Sequence, residues 1–221
     1  MQISVSYHIP QTVPDGRLPS DPLIGRLLME DLKDCQIRSE YYDSPGHALR
    51  AAKATLRIER RADVSCAYLN RLLAAEEVAA NLRYAADKSD IYESWQCEAD
   101  DINAAADVFI GMGAPAFLAE RGEGYRALGL YEFTRKNAAL MLPNPEGAED
   151  GGAAIFLSFD NGVMAAAAKR GELNEMSLKL LYGHPGQMLE LAAALEQKYG
   201  LKRVMHTRYE RLLSMVRSRK G

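Results

Sequence analysis

The chain has 221 residues, a formal net charge of −3 and a pI near 5.9. With no dominant basic patch or polybasic run, it carries no footprint for nucleic acid or a membrane surface as partner. No apolar run reaches the roughly 20 residues of a membrane helix, and no basic segment followed by an apolar one marks a secretory signal. Cys35, Cys66 and Cys97 lie far apart, and His8, His47, His184 and His206 are scattered. This spacing points to a reduced, cytoplasmic protein and away from a Cys/His metal centre. The length suits one large domain or two small ones, and with no linker long enough to separate two, a single domain over residues 1–221 is expected.

In chain order, residues 2–8 alternate as a strand, with Ile3, Val5 and Tyr7 on one face and Ser4, Ser6 and His8 on the other. Pro10, Pro14, Pro19 and Pro22, with Asp15-Gly16, predict an ordered loop or lid. Ser20 or Asp21 then caps a helix that starts at Pro22 and carries a stripe of Leu23, Ile24, Leu27, Leu28 and Leu32. In residues 40–61, extended Tyr41 and Tyr42 meet an Asp43-Ser44-Pro45-Gly46 corner. A short Ala/Leu-rich turn follows, and then a strand in which Leu56 and Ile58 alternate with Arg57 and Glu59. Residues 64–69 continue a hairpin, whereas the composition of residues 70–84 favours helix.

Residues 91–98 read as extended. Asp100 or Asp101 caps an Ala-rich helix through Ile110, ended by Gly111 and Gly113, and residues 115–121 add a helical turn or two. A strand over residues 130–142 puts Phe133 and Arg135 on one face, and residues 144–152 form an acidic, turn-rich loop. The strand at residues 154–160 ends in Asp160-Asn161-Gly162, a hairpin signal. Residues 175–181 set Met176, Leu178 and Leu180 against Glu175, Ser177 and Lys179. Pro185 opens a helix with a stripe of Met188, Leu191, Ala192, Leu195 and Tyr199, stopped by Gly200. The last helix begins near Thr207, with Arg217, Arg219 and Lys220 as a solvated basic tail.

Four strands share a dry face and a polar one, the polar sets being Ser4/Ser6/His8, Arg57/Glu59, Ser158/Asp160 and Glu175/Ser177/Lys179. A polar strand face meets water in an open sheet or lines a cavity in a closed barrel.

The order of parts resembles the CYTH superfamily, the triphosphate tunnel proteins that include inorganic triphosphatases, thiamine triphosphatases and one class of adenylate cyclases. The resemblance rests on the aromatic strand with its Asp43-Ser44-Pro45 corner, Leu56-Arg57-Ile58-Glu59, Phe133-Thr134-Arg135, Glu175-Met176-Ser177-Leu178-Lys179 and Thr207-Arg208-Tyr209-Glu210-Arg211. It implies an α+β fold, an antiparallel β-barrel or tunnel with helices packed outside. The family's first strand, E-x-E-x-K, is matched by Ser4-Val5-Ser6-Tyr7-His8, and its late E-x-E-x-E strand keeps only Glu175.

Carried over residue by residue, the resemblance implies Arg57, Arg135, Lys179 and Arg208 as phosphate-binding cations. Ser4, Ser6, His8, Glu59, Ser158 and Ser177 become tunnel liners, and Glu175 and Asp160 the remaining ligands for Mg or Mn. The alternative for each cation is a surface salt bridge, and for the two acids a pairing with Lys179 or a nearby Arg. No catalytic residue is assigned. Because a hard cation needs carboxylates, the depleted acids favour a divergent protein that binds a small phosphate-rich anion, a triphosphate or similar, with weak or no hydrolysis. The alternative is an active metal-dependent inorganic triphosphatase or phosphohydrolase.

Overall fold

The alternation read from the strands closes on itself in space. In the structure, a computed structural model, the described residues are 1–14, 16–86, 88–143 and 152–217. Residues 144–151 of the acidic loop expected at 144–152, Asp15 of the expected Asp15-Gly16 turn, and Arg219 and Lys220 of the tail lie outside them. The strands are β1 (Gln2–His8), β2 (Lys33–Asp43), β3 (Ala54–Arg61), β4 (Val64–Leu72), β5 (Asp90–Glu98), β6 (Arg126–Leu142), β7 (Ala153–Ala166), β8 (Lys169–Tyr182) and the two-residue β9 (Lys202–Arg203). The helices are α1 (Pro22–Gly25), α2 (Ala48–Ala51), α3 (Arg83–Ala86), α4 (Ile102–Gly111), α5 (Pro185–Tyr199) and α6 (Arg208–Arg217).

The sheet order is β5-β4-β3-β2-β6-β7-β8-β1-β9, and a β5–β1 pairing makes the first eight strands a closed antiparallel barrel. That seam matches Gln2 to Tyr92, Ile3 to Ile91 and Ser4 to Asp90. Because strand side chains alternate, each strand gives one set outward and one inward. On the outside, Ile3, Val5 and Tyr7 of β1 and Leu157 and Phe159 of β7 pack with Met188, Leu191, Ala192 and Leu195 of α5. Leu56, Ile58, Ala67 and Leu69 pack with Ile102, Ala105, Ala106 and Phe109 of α4. The caps behave as their chemistry dictates. Asp101 accepts from Ala104 N (2.8 Å), Pro185 opens α5, and Gly200 closes it in the left-handed region at φ 61°.

One helix departs from the expected outer layer. Tyr209, Leu212 and Leu213 of α6 form a third cluster with Ile37, Tyr41, Tyr131 and Phe133. These strand residues have the parity of Arg135, so α6 packs on the inner face and fills one end of the barrel. The corner read from residues 43–46 holds it there. Buried Asp43 accepts from Ser44 N (2.8 Å), Leu49 N (3.1 Å) and the Tyr209 hydroxyl, while the Tyr131 hydroxyl donates to the Arg208 carbonyl (3.0 Å).

Three local readings are corrected. Asp160-Asn161-Gly162 is no hairpin turn, since β7 runs straight through it and the turn to β8 lies at Ala167 and Ala168, with Ala167 at φ 53°. Gly162 is needed for close approach instead. A Cβ there would meet the Glu132 carbonyl oxygen at 2.2 Å and Phe133 Cα at 2.5 Å. β4 extends through Asn70 to Leu72, and the helical composition beyond it yields only short 3-10 turns and α3. The helix opened by Pro22 is capped by Asp21 but lasts four residues, because Leu28 bridges to Leu140 and the chain joins the barrel wall. Among the described residues no helix is long and apolar enough to cross a membrane.

Candidate functional site

Register places the polar set inside the barrel. Ser4 lies opposite Lys179, Ser6 opposite Ser177 and His8 opposite Glu175 across β1 and β8, and Ser6 and Ser177 share a hydroxyl–hydroxyl hydrogen bond (2.8 Å). Asp160 faces Glu175, Ser158 faces Ser177, and Arg135 faces Asp160. Arg57 and Glu59 stand on β3, separated from β8 in the wall by β2, β6 and β7. Even so, they face the same lumen, because Leu56 and Ile58 pack outside against α4 and the alternating Arg57 and Glu59 therefore point inward. His8 is the exception among the expected liners, being exposed at the rim beside Lys202.

Two linked ion networks fill this lumen. In the first, Arg135 grips Asp160 with two hydrogen bonds of 2.7 Å, the bidentate geometry that a guanidinium offers a carboxylate. Arg208 donates to Asp160 Oδ2 and to Glu175 Oε2 (2.9 and 3.1 Å), and Arg211 donates to Glu175 Oε1. All four carboxylate oxygens therefore already accept from arginine. The acids are 1% and 3% exposed, and the guanidiniums of Arg208 and Arg211 stand over the Tyr131 ring. Burial pushes the Asp160 carboxyl up, but the hydrogen bond from Arg135 and the charges of Arg208 and Arg135 outweigh it and hold the group below its ordinary value.

The second network has one acid. Glu59, 5% exposed, accepts from Arg57 Nε (2.9 Å) and Arg61 Nη2 (2.8 Å). Its carboxyl is also held low: burial opposes ionisation, and the Arg57 and Arg135 charges and the Arg61 hydrogen bond overcome it. Arg57 stacks on Tyr68 at 4.6 Å, and Asn70, with its amide oriented to satisfy both ends, accepts from Arg57 Nη1 (2.9 Å). Lys179 makes no ion pair among the described residues. Burial pushes its ammonium down, and the nearby Arg57 and Arg135 charges push it further. The two networks hold five arginines, Arg57, Arg61, Arg135, Arg208 and Arg211, and with the unpaired Lys179 beside them six cations stand against the networks' three carboxylates.

Three buried donors in or beside these networks lack a protein partner: Ser39 Oγ, Arg61 Nε and Arg211 Nε. Ser39 is fully buried and lies opposite both Glu59 and Tyr131. Arg61, Arg211 and Ser39 escaped the sequence reading as site residues. Parity with Arg57 and Glu59 would have found Arg61, and the one-turn spacing from Arg208 would have found Arg211. Ser39 carried no such signal.

The acids do not fit a divalent cation as arranged. A hard cation takes free oxygen ligands, whereas every oxygen of Asp160 and Glu175 is occupied, and the described residues contain no group of three or more potential metal ligands. The Pro-rich segment is not a lid over the lumen. Residues such as Val13, Pro14, Leu18 and Pro19 enclose a cavity of about 340 Å³ against Phe159, Asn161 and Asn174 on the outer face.

The same architecture occurs in solved structures. HpAC1 from Hippeastrum, a putative adenylyl cyclase described as having a dominant triphosphatase activity, matches with a TM-score of 0.58 and 13% identity, covering 97% of this chain and 96% of its own. The PH1819 protein from Pyrococcus horikoshii OT3 matches with a TM-score of 0.53 and 11% identity, over 97% of this chain and 99% of its own. A putative adenylate cyclase from Bacillus halodurans gives 0.53 and 10%, over 96% of each chain. No family model matches the sequence, and no curated protein matches it by sequence. The likeness shows the fold alone, a closed antiparallel barrel of the CYTH tunnel type with helices outside.

Proposed function

We propose that the tunnel binds a small phosphate-rich anion, a triphosphate or similar, with weak or no hydrolysis, in the cytoplasm. The observation that carries this reading is the excess of six cations over three carboxylates, with Lys179 unpaired and crowded by Arg57 and Arg135. A polyphosphate supplies the missing negative charge, and its oxygens are acceptors only, suited to guanidinium forks and to an ammonium point charge. Arg57, Arg135, Lys179 and Arg208 remain the proposed contacts, joined by Arg61. Hydrolysis requires stabilisation that grows in the transition state. Cations that hold the ground state equally well do not lower the barrier.

The likeness to HpAC1 favours a second reading, an active metal-dependent inorganic triphosphatase. Thermal unfolding at low salt tests the common premise. Tripolyphosphate at about 100 times its dissociation constant should stabilise the protein by roughly 2.7 kcal/mol, and Arg57→Ala should remove most of that gain. The absence of any shift with tripolyphosphate, pyrophosphate or sulfate would rule out both readings.

A further inference from the structure

We infer that Arg208 and Arg211 occupy the position of a divalent cation between Asp160 and Glu175, so that the lumen takes its polyphosphate in the metal-free form. The inference rests on the anion-binding reading above and deepens it by naming the state of the ligand. Asp160 and Glu175 are cross-strand neighbours on β7 and β8, a pair that could converge on one cation. What converges on them is α6. Arg208 Nη2 bridges Asp160 Oδ2 and Glu175 Oε2, and Arg211 takes Glu175 Oε1. The guanidinium keeps its charge at every pH a protein survives, so protonation cannot vacate the position.

These arginines cannot simply swing aside. Their helix is pinned through the Arg208 carbonyl to Tyr131 and through Tyr209 to Asp43, and its apolar side is buried among Ile37, Tyr41 and Phe133. A metal ion entering the lumen would also meet the positive charge of Lys179 and Arg57, and Asp90, the carboxylate opposite Ser4 on the same face, is paired with Arg203 (3.7 Å). A polyphosphate complexed to Mg²⁺ arrives with part of its charge neutralised and some oxygens occupied. The bare anion offers all its oxygens to the cations and to the unpartnered donors Ser39 Oγ, Arg61 Nε and Arg211 Nε.

Calorimetric titration of sodium tripolyphosphate into the full chain decides the matter, run once in EDTA and once with millimolar MgCl₂ in excess over the ligand. The expected result is binding in EDTA, weakened at least tenfold by MgCl₂ because the free anion is withdrawn. Binding that is tenfold tighter with MgCl₂, or seen only with it, overturns the inference while leaving the anion reading intact. Binding in neither condition overturns both. The double variant R208Q/R211Q should lose affinity in EDTA and gain it with MgCl₂, since both oxygens of Glu175 lose their donors while Asp160 keeps only Arg135. Should that variant not fold by circular dichroism, R211Q alone frees Glu175 Oε1 and should show the same change of sign, weaker in size. An unaltered response to MgCl₂ in a folded variant contradicts the role given to these arginines.

Discussion

Beside α6, three guanidiniums meet two carboxylates and every carboxylate oxygen has a donor; across the lumen, Arg57 and Arg61 share Glu59 alone, and Lys179 of β8, within reach of their charge, has no ion-pair partner among the described residues. The first region also serves the structure. Its ion pairs tie the C-terminal helix into the barrel, and a buried pair is destabilising chiefly when one partner is removed. The second is under-neutralised, and nearby Lys179 is held below its ordinary value first by burial and then by the like charges of Arg57 and Arg135. Two clusters on the walls of one lumen are thus distinguished by how completely their charge is matched, and the incompletely matched one is where a ligand has most to gain.

The largest expected effect comes from breaking the paired side. Asp160→Asn leaves buried Arg135 without a carboxylate partner and Arg208 with Glu175 alone, which should cost about 3–5 kcal/mol and lower the melting temperature by on the order of 10 °C. Because the variant also raises the positive excess, tripolyphosphate should restore more stability to it than it adds to the wild type. Denaturant and thermal melts with and without ligand check both halves. Equal ligand shifts in the two proteins would mean that the two networks do not share one ligand field.

The open side should respond the other way. Lys179→Met removes a crowded cation, so the unliganded melting temperature should stay level or rise, while affinity for tripolyphosphate falls about 10- to 100-fold, the worth of one charged hydrogen bond. A destabilised Lys179→Met protein with unchanged affinity would reverse the roles assigned to the two sides.

A smaller effect follows from the lowered Lys179 value. Between that value and the ordinary 10.5, the unfolded chain binds more protons than the folded one, so unliganded stability should rise with pH across this window. A bound anion favours the protonated lysine, so affinity should fall, by about tenfold or less, over the same window, and Lys179→Met should abolish both trends. Asp160 sets the acid side. Its value is depressed, so its contribution is complete above the unfolded value and is lost as pH falls through the folded one.

Ser39→Ala should have the smallest effect on stability. A buried hydroxyl without a partner stabilises nothing, so its removal should leave the melting temperature within about 2 °C. A measurable loss of tripolyphosphate affinity in the same variant would assign that hydroxyl to the ligand.

Much of this arrangement was written locally in the chain. Alternation fixed the faces of β1, β3 and β8, the Asp-Ser-Pro-Gly corner formed where its turn chemistry places it, and Asp101 and Pro185 start their helices. What escaped was non-local. The Asp-Asn-Gly signal in β7 lost to tertiary demands, since Asp160 is drawn inward by two arginines distant in sequence and Gly162 lets the β6 backbone approach. The entry of α6 into the barrel depends on an inner apolar patch assembled from β2 and β6, which no single segment announces. For the same reason Arg211 read as helix surface rather than as the counterion of Glu175.

Whether this lumen binds without turning over is measured most directly by steady-state hydrolysis of inorganic triphosphate, with Mg²⁺ or Mn²⁺, from neutral to alkaline pH. With Asp160 and Glu175 committed to arginine, the expected rate is indistinguishable from background, while calorimetry on the same preparation registers binding. Turnover on the order of 1 s⁻¹ or faster, in the ordinary enzyme range, and lost in Glu175→Gln, would contradict this and make the carboxylates part of a working metal site.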